Sequence, residues 1–347
     1  WSGWWLRLTS ACDTQHEICT LWSIEPALLP APRCPVNCRL APRPSASAIQ
    51  ASDALLVPTS KFVGHFVRNG SSFEGLRPVY CLESEAGTWR LPRCPPPSRS
   101  VSTHPNNYMR FSFFTRYYLA SPLSTTNAAA LFDIGELQRA QFRIATLGRN
   151  ASLISVWFKH CHVDRASLKQ DRTTLLNRLE KAGLGVASYG RCMRNIRPDD
   201  SILNTSQEDW QLNKQRGMKR HPFVLVSENS AQPGWVTEKV YQALAAGVVP
   251  VWFGTPAGWA ERYLFPLVPP NSVVDASSYR TPAQLAHFLR RAARNASIYE
   301  SFHRWRHEPD LFATSVAILQ HELSLAVEAT PCRICQLLHK EKLDTSF

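Results

Sequence analysis

The stretch from Phe223 to Gly254 constrains the fold of this chain more than any other, because it holds a complete strand–helix–strand pattern. Its first four residues are apolar, as expected of a parallel strand that is buried on both faces. Apolar residues then recur every four positions as far as Leu244, and Gly247 stands where a helix C-terminus favours a left-handed residue. A second apolar run, Val248 to Phe253, resumes a strand. The stretch therefore predicts one βαβ unit of a parallel sheet.

Polar side chains collect where the first of these strands leads into the helix. They are Glu228, Asn229, Ser230, Thr237, Glu238 and Lys239. Ligands bind at this edge of open α/β sheets, and the free N–H groups of a helix N-terminus favour a phosphate. Lys239 opposes the helix dipole locally, which a bound anion would explain. The alternative is a surface lysine beside a glutamate that favours the dipole.

The chain after residue 150 repeats this alternation of strand and helix. Residues 152–158 and 186–189 read as strands around a helix at residues 165–182, which Gly183 ends. Thr281 and Pro282 supply the cap and first position of a further helix, and a last helix is expected at about residues 310–327. This order predicts a parallel sheet with right-handed crossovers.

The first half of the chain is less regular. Residues 1 to about 50 show little periodicity, and residues 53–58 read as the end of a strand. Five prolines between residues 92 and 105 predict a surface insertion without regular structure.

Composition describes a globular protein with room for two domains in its 347 residues. The net charge of +12 suggests polyanions, phosphate-bearing small molecules or acidic membrane surfaces as partners. Nucleic acid is not favoured, because the basic residues are scattered and no zinc-finger or RNP-type motif is present.

Cysteines and sequons both favour the secretory pathway. The ten cysteines are accompanied by four Asn-x-Ser/Thr sites, at Asn69, Asn150, Asn204 and Asn295. Neither a signal peptide nor a transmembrane span is visible, so we expect a missing N-terminal membrane anchor. On spacing alone, Cys332 and Cys335 could be a zinc or redox pair.

Several motifs resemble one family. Glu228-Asn-Ser followed by Val236-Thr-Glu-Lys is similar to the signature of the α1,3/4-fucosyltransferases, and the resemblance covers residues 150–338. Residues 154–161, residues 189–192 and the Cys332-x-x-Cys335 end are most similar to the branch that fucosylates the innermost GlcNAc of N-glycans.

The resemblance implies an α/β, GT-B-type fold of two Rossmann-like lobes with a cleft between them. Residues 1–149 would form an acceptor-side lobe that contains the insertion at about residues 92–105. Residues 150–330 would form the GDP-fucose-binding lobe, and residues 331–347 a cysteine-containing tail.

The resemblance also assigns residues to the donor. Lys239 and Arg172 would hold the diphosphate, with Arg165 as the competitor for the arginine. Glu238 would contact fucose and take part in catalysis, and Asn229 would contact the nucleotide. Trp235 would be a donor-binding residue at a place where many relatives have Tyr.

The catalytic base is nominated by the segment from Arg77 to Glu85, which resembles a segment of the family's first lobe. Glu83 would accept the acceptor proton, and Glu85 lies two residues away on the same side of a strand. A surface acid is the alternative for Glu83.

The resemblance implies two sets of disulfides. Cys161 would pair with Cys192, and the pair Cys332 and Cys335 with the pair Cys34 and Cys38.

The resemblance also implies a function and a location, which are expectations. The enzyme would transfer L-fucose from GDP-β-L-fucose, with inversion, to a GlcNAc hydroxyl of an N-glycan, forming an α1,3 linkage. No metal would be required, although a divalent metal can stimulate, and the chain has no Asp-x-Asp to hold one. The catalytic part would lie in the Golgi lumen, attached to the membrane. The alternatives are a Lewis-type antennal fucosyltransferase, a transferase for another sugar nucleotide, or a lumenal sugar-nucleotide-binding protein without catalysis.

Overall fold

The structure is a computed structural model. It describes residues 139–144, 147–148, 151–158, 161, 172–196, 207–228, 234–254 and 256–325, and a few residues between 333 and 340. Before residue 139 it describes the backbone of short strands only.

The chain divides into two compact units. One contains Trp1–Ser112 and Ser324–Phe347, and the other contains Phe113–Leu323. The domain limits expected from sequence, at residues 149/150 and 330/331, stay predictions.

The first unit contains a six-stranded sheet in the order β4-β1-β5-β6-β7-β8. Its strands are β1 (Leu6–Arg7), β4 (Ala41–Pro42), β5 (Leu55–Pro58), β6 (Val79–Leu82), β7 (Arg99–Ser102) and β8 (Met109–Arg110). Strands β5 to β8 are parallel, whereas β1 is antiparallel to both of its neighbours. A separate parallel pair joins β2 (Ile18–Cys19) to β3 (Asn37–Cys38).

The prediction of an irregular insertion at residues 92–105 is wrong in part, because β7 lies inside it. Arg99–Ser102 contains no proline, so each residue keeps the backbone N–H that a sheet needs. The expected strand at residues 53–58 is confirmed as β5.

The second unit contains a parallel sheet in the order β10-β9-β11-β12-β13. Its strands are β9 (Ile154–Val156), β10 (Val186–Ser188), β11 (Phe223–Ser227), β12 (Val249–Phe253) and β13 (Val274–Asp275). Strand β9 thus pairs with β10 on one side and with β11 on the other. The order reverses between β9 and β11, which makes that point the topological switch of the sheet.

Six α-helices are described in the second unit and at its end. They are α1 (Arg172–Lys181), α2 (Gln207–Met218), α3 (Glu238–Ala245), α4 (Pro282–Arg294), α5 (Ala296–Ser301) and α6 (Pro309–Ser324). Shorter turns of π- and 3-10 helix lie at Ala260–Leu264, Phe265–Leu267, Ala276–Ser278 and Arg304–Arg306.

Helices cover both faces of this sheet. Alternate residues of a strand point to opposite sides, and in β11 the residues on both sides are apolar and need cover. Phe223 and Leu225 of β11 pack in one core with α1 and α4. Val224 and Val226 pack in a second core with α3 and α6. The α/β class predicted from sequence is confirmed.

Two predicted helix ends depend on glycine. Gly183 and Gly247 have φ angles of +77° and +74°, in the left-handed region that disfavours other residues. A Cβ on Gly247 would also lie 2.5 Å from the Ala140 backbone, so no other side chain fits there.

Element limits differ from the predictions in places. The helix expected at residues 310–327 is α6, which ends at Ser324. The first part of the helix expected at residues 165–182 lies outside the described residues, and α1 confirms the rest. Helix α2 was not predicted, since Gln207–Met218 is mostly polar and lacks a clear apolar stripe.

Candidate functional site

The predicted polar cluster lies at the carboxyl ends of β9 and β11, on either side of the switch point. Phe158 follows β9 closely, Ser227 ends β11, and α3 begins at Glu238. Open α/β sheets bind ligands at this position because the diverging chains leave a crevice there.

Arg172, at the start of α1, reaches across this crevice and is only 2% exposed. Its Nε donates to the hydroxyl of Ser227 at 3.2 Å, and its Nη2 donates to the carbonyl oxygens of Ser227 at 2.8 Å and Glu228 at 2.6 Å. The guanidinium also lies over the ring of Phe158, at 4.3 Å from its centroid. One cation therefore holds the ends of the two strands that border the switch point.

Glu228 connects the end of β11 to the start of α3. Its carboxylate accepts from the backbone N–H of Thr237 at 2.8 Å and from the Thr237 hydroxyl at 2.7 and 2.9 Å. Thr237 is the N-cap residue of α3, yet its side chain makes no capping hydrogen bond. The threonine hydroxyl that ordinarily caps a helix thus serves the glutamate instead.

Lys239 lies in the first turn of α3 between two carboxylates. Its Nζ lies 3.0 Å from Glu228 Oε2 and 3.4 Å from Glu238 Oε1, and it donates to the Thr237 hydroxyl at 2.7 Å. Burial by itself would lower the pKa of Lys239, but Glu228 and Glu238 together raise it above its ordinary value. Lys239 is therefore a fixed positive charge at this end of the sheet.

Glu238 stays ionised in this setting. Burial would raise the pKa of its carboxyl group, but Lys239 and then Lys214 lower it below its ordinary value. Lys214 comes from α2, and its Nζ donates to Gln242 Oε1 on α3 at 2.6 Å. Burial lowers the pKa of Lys214 to about 8, against the opposing effect of Glu238.

The structure brings together three of the predicted donor-site residues: Arg172, Glu238 and Lys239. Trp235 lies just before α3 and is 5% exposed, so most of its ring is inside the protein. Asn229, Arg165, Glu83 and Glu85 lie outside the described residues. Of these, Glu83 follows directly after β6 in the sequence. The roles given to all of these residues stay predictions.

Sequence reasoning gave no role to several residues that organise the site. Glu228 was noted only as a polar residue, although its position at the end of a strand could have indicated a contact with the following helix. The positions of Ser227 and Thr237, on either side of the same loop, gave the same indication. Lys214 and Gln242 had none, because they lie on different helices and meet only in the folded chain.

The site combines three cations with two carboxylates. Arg172, Lys239 and Lys214 outnumber Glu228 and Glu238 by one charge, and the N-terminus of α3 adds the positive end of a helix dipole. This balance suits a ligand with negative charge, and the carboxylate of Glu238 adds an acceptor for hydroxyl groups.

The predicted pairing of Cys161 with Cys192 is confirmed, and the disulfide joins the segments that follow β9 and β10. The pairings of Cys34, Cys38, Cys332 and Cys335 lie outside the described side chains.

One of the four sequons is described. Asn295 is exposed and caps α5 by accepting a hydrogen bond from the N–H of Ile298 at 3.2 Å. Asn69, Asn150 and Asn204 lie outside the described residues. Among the helices that the structure describes, none combines the length and the apolar character needed to span a bilayer.

Comparison with known families gives one match over most of the second unit. The family model of glycosyltransferase family 10 (fucosyltransferase), C-terminal part, matches residues 153–347. That range contains every cation and carboxylate of the cluster described above.

Two relatives illustrate the range of similar proteins. An alpha-(1,4)-fucosyltransferase of Arabidopsis thaliana is 25% identical over 236 residues, which cover 65% of this chain and 53% of the relative. A GDP-fucose protein O-fucosyltransferase 3 of Rattus norvegicus is 31% identical over 139 residues, 39% of this chain and 27% of the relative. The chain thus spans about half of the first relative's length and about a quarter of the second's.

A crystal structure of an α1,3-fucosyltransferase aligns with 80% of this chain and 80% of its own, with a TM-score of 0.47 and 12% sequence identity.

Proposed function

The chain belongs to glycosyltransferase family 10, the fucosyltransferases, and on that premise we propose that it is an inverting α1,3-fucosyltransferase. It moves L-fucose from GDP-β-L-fucose to a GlcNAc hydroxyl of glycoprotein N-glycans. The observation that carries the proposal is the cation cluster at the switch point, where Arg172 binds the end of β11 and Lys239 lies in the first turn of α3.

The leaving group is GDP, and its diphosphate gains negative charge as the bond to fucose breaks. Fixed cations and helix N–H groups stabilise such charge best when they are in place before the reaction. Lys239 and the first turn of α3 supply both, and Arg172 keeps the end of β11 beside them. We propose that these groups serve without a required metal, so transfer survives treatment with EDTA.

Glu238 supports the sugar in this proposal. The carboxylate is ionised and lies at the N-terminus of α3, next to the lysine that holds the diphosphate. It can accept hydrogen bonds from fucose hydroxyls and favour the positive charge that develops on the ring in the transition state.

The reaction is a single displacement. The acceptor oxygen forms a bond to C1 of fucose as the bond from C1 to the diphosphate oxygen breaks, and the electron pair leaves with GDP. The acceptor proton goes to a base, for which we propose Glu83, directly after β6.

We propose that the whole protein acts in the Golgi lumen, attached to the membrane. The ten cysteines and four sequons support this location.

The deciding experiment is transfer of fucose from GDP-fucose to a trimmed N-glycan, followed by linkage analysis of the product. Transfer from UDP-sugars but not from GDP-fucose would overturn the proposal. GDP binding without turnover would support the non-catalytic binding protein instead.

Glu83→Gln should abolish turnover and leave GDP binding intact, with Glu85→Gln as the matched control.

The acceptor has a second candidate. The rat relative is named a protein O-fucosyltransferase and is 31% identical over 139 residues, and the Arabidopsis relative is named for an α1,4 linkage. Folded protein domains and antennal GlcNAc therefore belong in the same acceptor panel. If the product carries fucose on a Ser or Thr hydroxyl, or in an α1,4 linkage, that acceptor replaces the innermost GlcNAc of the N-glycan in the proposal.

A further inference from the structure

Lys214 lies beside the donor site but comes from a different helix than the residues that the proposed function uses. Its Nζ donates to Gln242 Oε1 at 2.6 Å, and Gln242 is 1% exposed. Gln242 lies four residues after Glu238, which places the two on the same face of α3, one turn apart. Helix α2 thus delivers an ammonium group to the face of α3 that carries Glu238.

Among the described residues, Lys214 has no carboxylate within ion-pair distance, and its one hydrogen bond goes to a neutral amide. Glu238 is the carboxylate that acts on it most strongly, and burial nevertheless lowers the pKa of Lys214 to about 8. Burial of this cation without an ion pair costs free energy that a hydrogen bond to an amide offsets only in part. Such a group is found more often at a functional site than in a structural core.

The contacts of Lys239 indicate what Lys214 does at this site. An ammonium group has three N–H donors, and those of Lys239 have three partners in Glu228, Thr237 and Glu238. To bind a diphosphate, Lys239 must release one of them. Glu238 is the most distant of the three, at 3.4 Å, and it would lose its nearest cation at that moment.

We propose that Lys214 is a positioning residue of the donor site, whose ammonium, held by Gln242, keeps the Glu238 carboxylate ionised and in place when Lys239 turns to the diphosphate. The inference rests on the proposed function, because it takes GDP as the anion that draws Lys239 away. Among the described residues, the charged groups that act on Glu238 are Lys239 of α3 itself and Lys214 of α2, and Lys239 also pairs with Glu228 at the end of β11.

The test measures protons rather than turnover alone. GDP binding is followed by calorimetry at pH 6 in buffers of different ionisation enthalpy, which reports the protons taken up. Wild-type protein gives the baseline, which includes the protons that the terminal phosphate of GDP releases when it binds cations. In Lys214→Met, Glu238 loses both cations on GDP binding, so we expect proton uptake to exceed the wild-type value by up to one proton and kcat to be about tenfold lower. The acid limb of the kcat profile should move up by about one pH unit.

Two further variants complete the design. Lys214→Arg keeps the charge and should restore the wild-type proton uptake. Lys219→Met, an exposed lysine just after α2, should behave as wild type in every measurement. Because the folded protein disfavours the charge on Lys214, its removal should not lower the melting temperature, whereas removal of a structural residue would.

The outcomes separate the two hypotheses. Wild-type protein that does not bind GDP would overturn the proposed function and this inference with it. Wild-type protein that binds GDP, with proton uptake and acid limb unchanged in Lys214→Met, would overturn this inference alone. A melting temperature that falls in Lys214→Met with no change in proton uptake would assign Lys214 a structural role.

Discussion

At the scale of single residues, the site depends on the hydrogen bonds and the ion pair that hold the Glu228 carboxylate. Glu228 is 3% exposed in its side chain and accepts from Thr237 and Lys239, so its charge is compensated by hydrogen bonds and one ion pair. The Lys239 side chain is 21% exposed, considerably more than that of Glu228. The buried carboxylate thus fixes the lysine, and the lysine presents the charge.

Replacing Lys239 tests this division of roles. We expect Lys239→Met to weaken GDP binding about 10- to 100-fold, because a charge-assisted contact to the diphosphate is lost. The variant should also be less stable, by about 3 kcal/mol, since the buried carboxylate of Glu228 loses its ion-pair partner. Calorimetry with GDP and thermal unfolding measure the two effects.

The double variant Lys239→Met with Glu228→Gln separates them. It should regain most of the lost stability, because the unpaired carboxylate of Glu228 is removed as well, but none of the affinity for GDP. Affinity that returns together with stability would mean that Lys239 acts on the fold rather than on the ligand.

At the scale of elements, the switch point is held by contacts between chain segments far apart in sequence. Arg172 of α1 binds the end of β11, and the disulfide from Cys161 to Cys192 joins the segments after β9 and β10. Both contacts lie at the carboxyl edge of the sheet. The ends of three adjacent strands are therefore fixed where the donor is proposed to bind.

Arg172→Lys tests whether this arginine acts through its shape. Lysine keeps the charge but cannot form the forked contacts to Ser227 and Glu228. We expect a loss of about 2–4 kcal/mol in the free energy of unfolding and at least a tenfold lower rate of transfer. Arg178→Lys, on the exposed side of the same helix, is the control. A stable and active Arg172→Lys protein would show that only the charge matters.

Removing the disulfide tests the second contact. The cysteines are 31 residues apart, and the entropic model gives a contribution of about 4 kcal/mol for a loop of this length. The double variant Cys161→Ala with Cys192→Ala should therefore melt at a lower temperature than the oxidised wild-type protein. Adding reductant to the wild type should lower its melting temperature to a similar extent and leave the variant unchanged. An equal melting temperature before and after reduction would contradict the prediction.

At the scale of the whole molecule, we expect a buried histidine that packs against Tyr299 to link stability to pH. His303 is 1% exposed, and Arg306 Nε donates to its Nδ1 at 3.2 Å. Within the described part of the chain, its Nε2 has no hydrogen-bond partner. Burial, then Arg306 and His307, lower the pKa of His303 to about 3, so the ring is neutral in the folded protein.

This histidine predicts how unfolding depends on pH. Unfolded His303 binds a proton near pH 6.5 whereas the folded protein resists doing so until about pH 3. The unfolded state therefore binds more protons in this window, and stability is lost as the pH falls below 6.5. His303→Asn keeps an acceptor for Arg306 but cannot titrate, so its melting temperature should fall less between pH 7.5 and 5.5. His287→Asn, at an exposed position, should keep the wild-type slope, and equal slopes in all three proteins would rule His303 out.

Sequence by itself determined the central strand–helix–strand unit and the edge of the sheet at which charged residues collect. The apolar runs of Phe223–Ser227 and Val249–Phe253 and the positive-φ glycine between them are local signals, so they predicted β11, α3 and β12 closely. The polar residues at the end of β11 predicted the edge at which charges collect. Periodicity and turn chemistry act over a few residues, so the sequence alone is enough to predict the elements that depend on them.

Only the tertiary structure decided which charges meet. Arg172 lies 55 residues before Ser227 and Lys214 lies 28 residues before Gln242, and no periodicity connects such positions. Their contacts follow from the strand order, which brings the start of α1 to the end of β11 and places α2 beside α3. The reassignment of the Thr237 hydroxyl from helix cap to partner of Glu228 has the same origin. Burial and electrostatic balance depend on all the neighbours of a group at once, and those neighbours are defined only when the chain is folded.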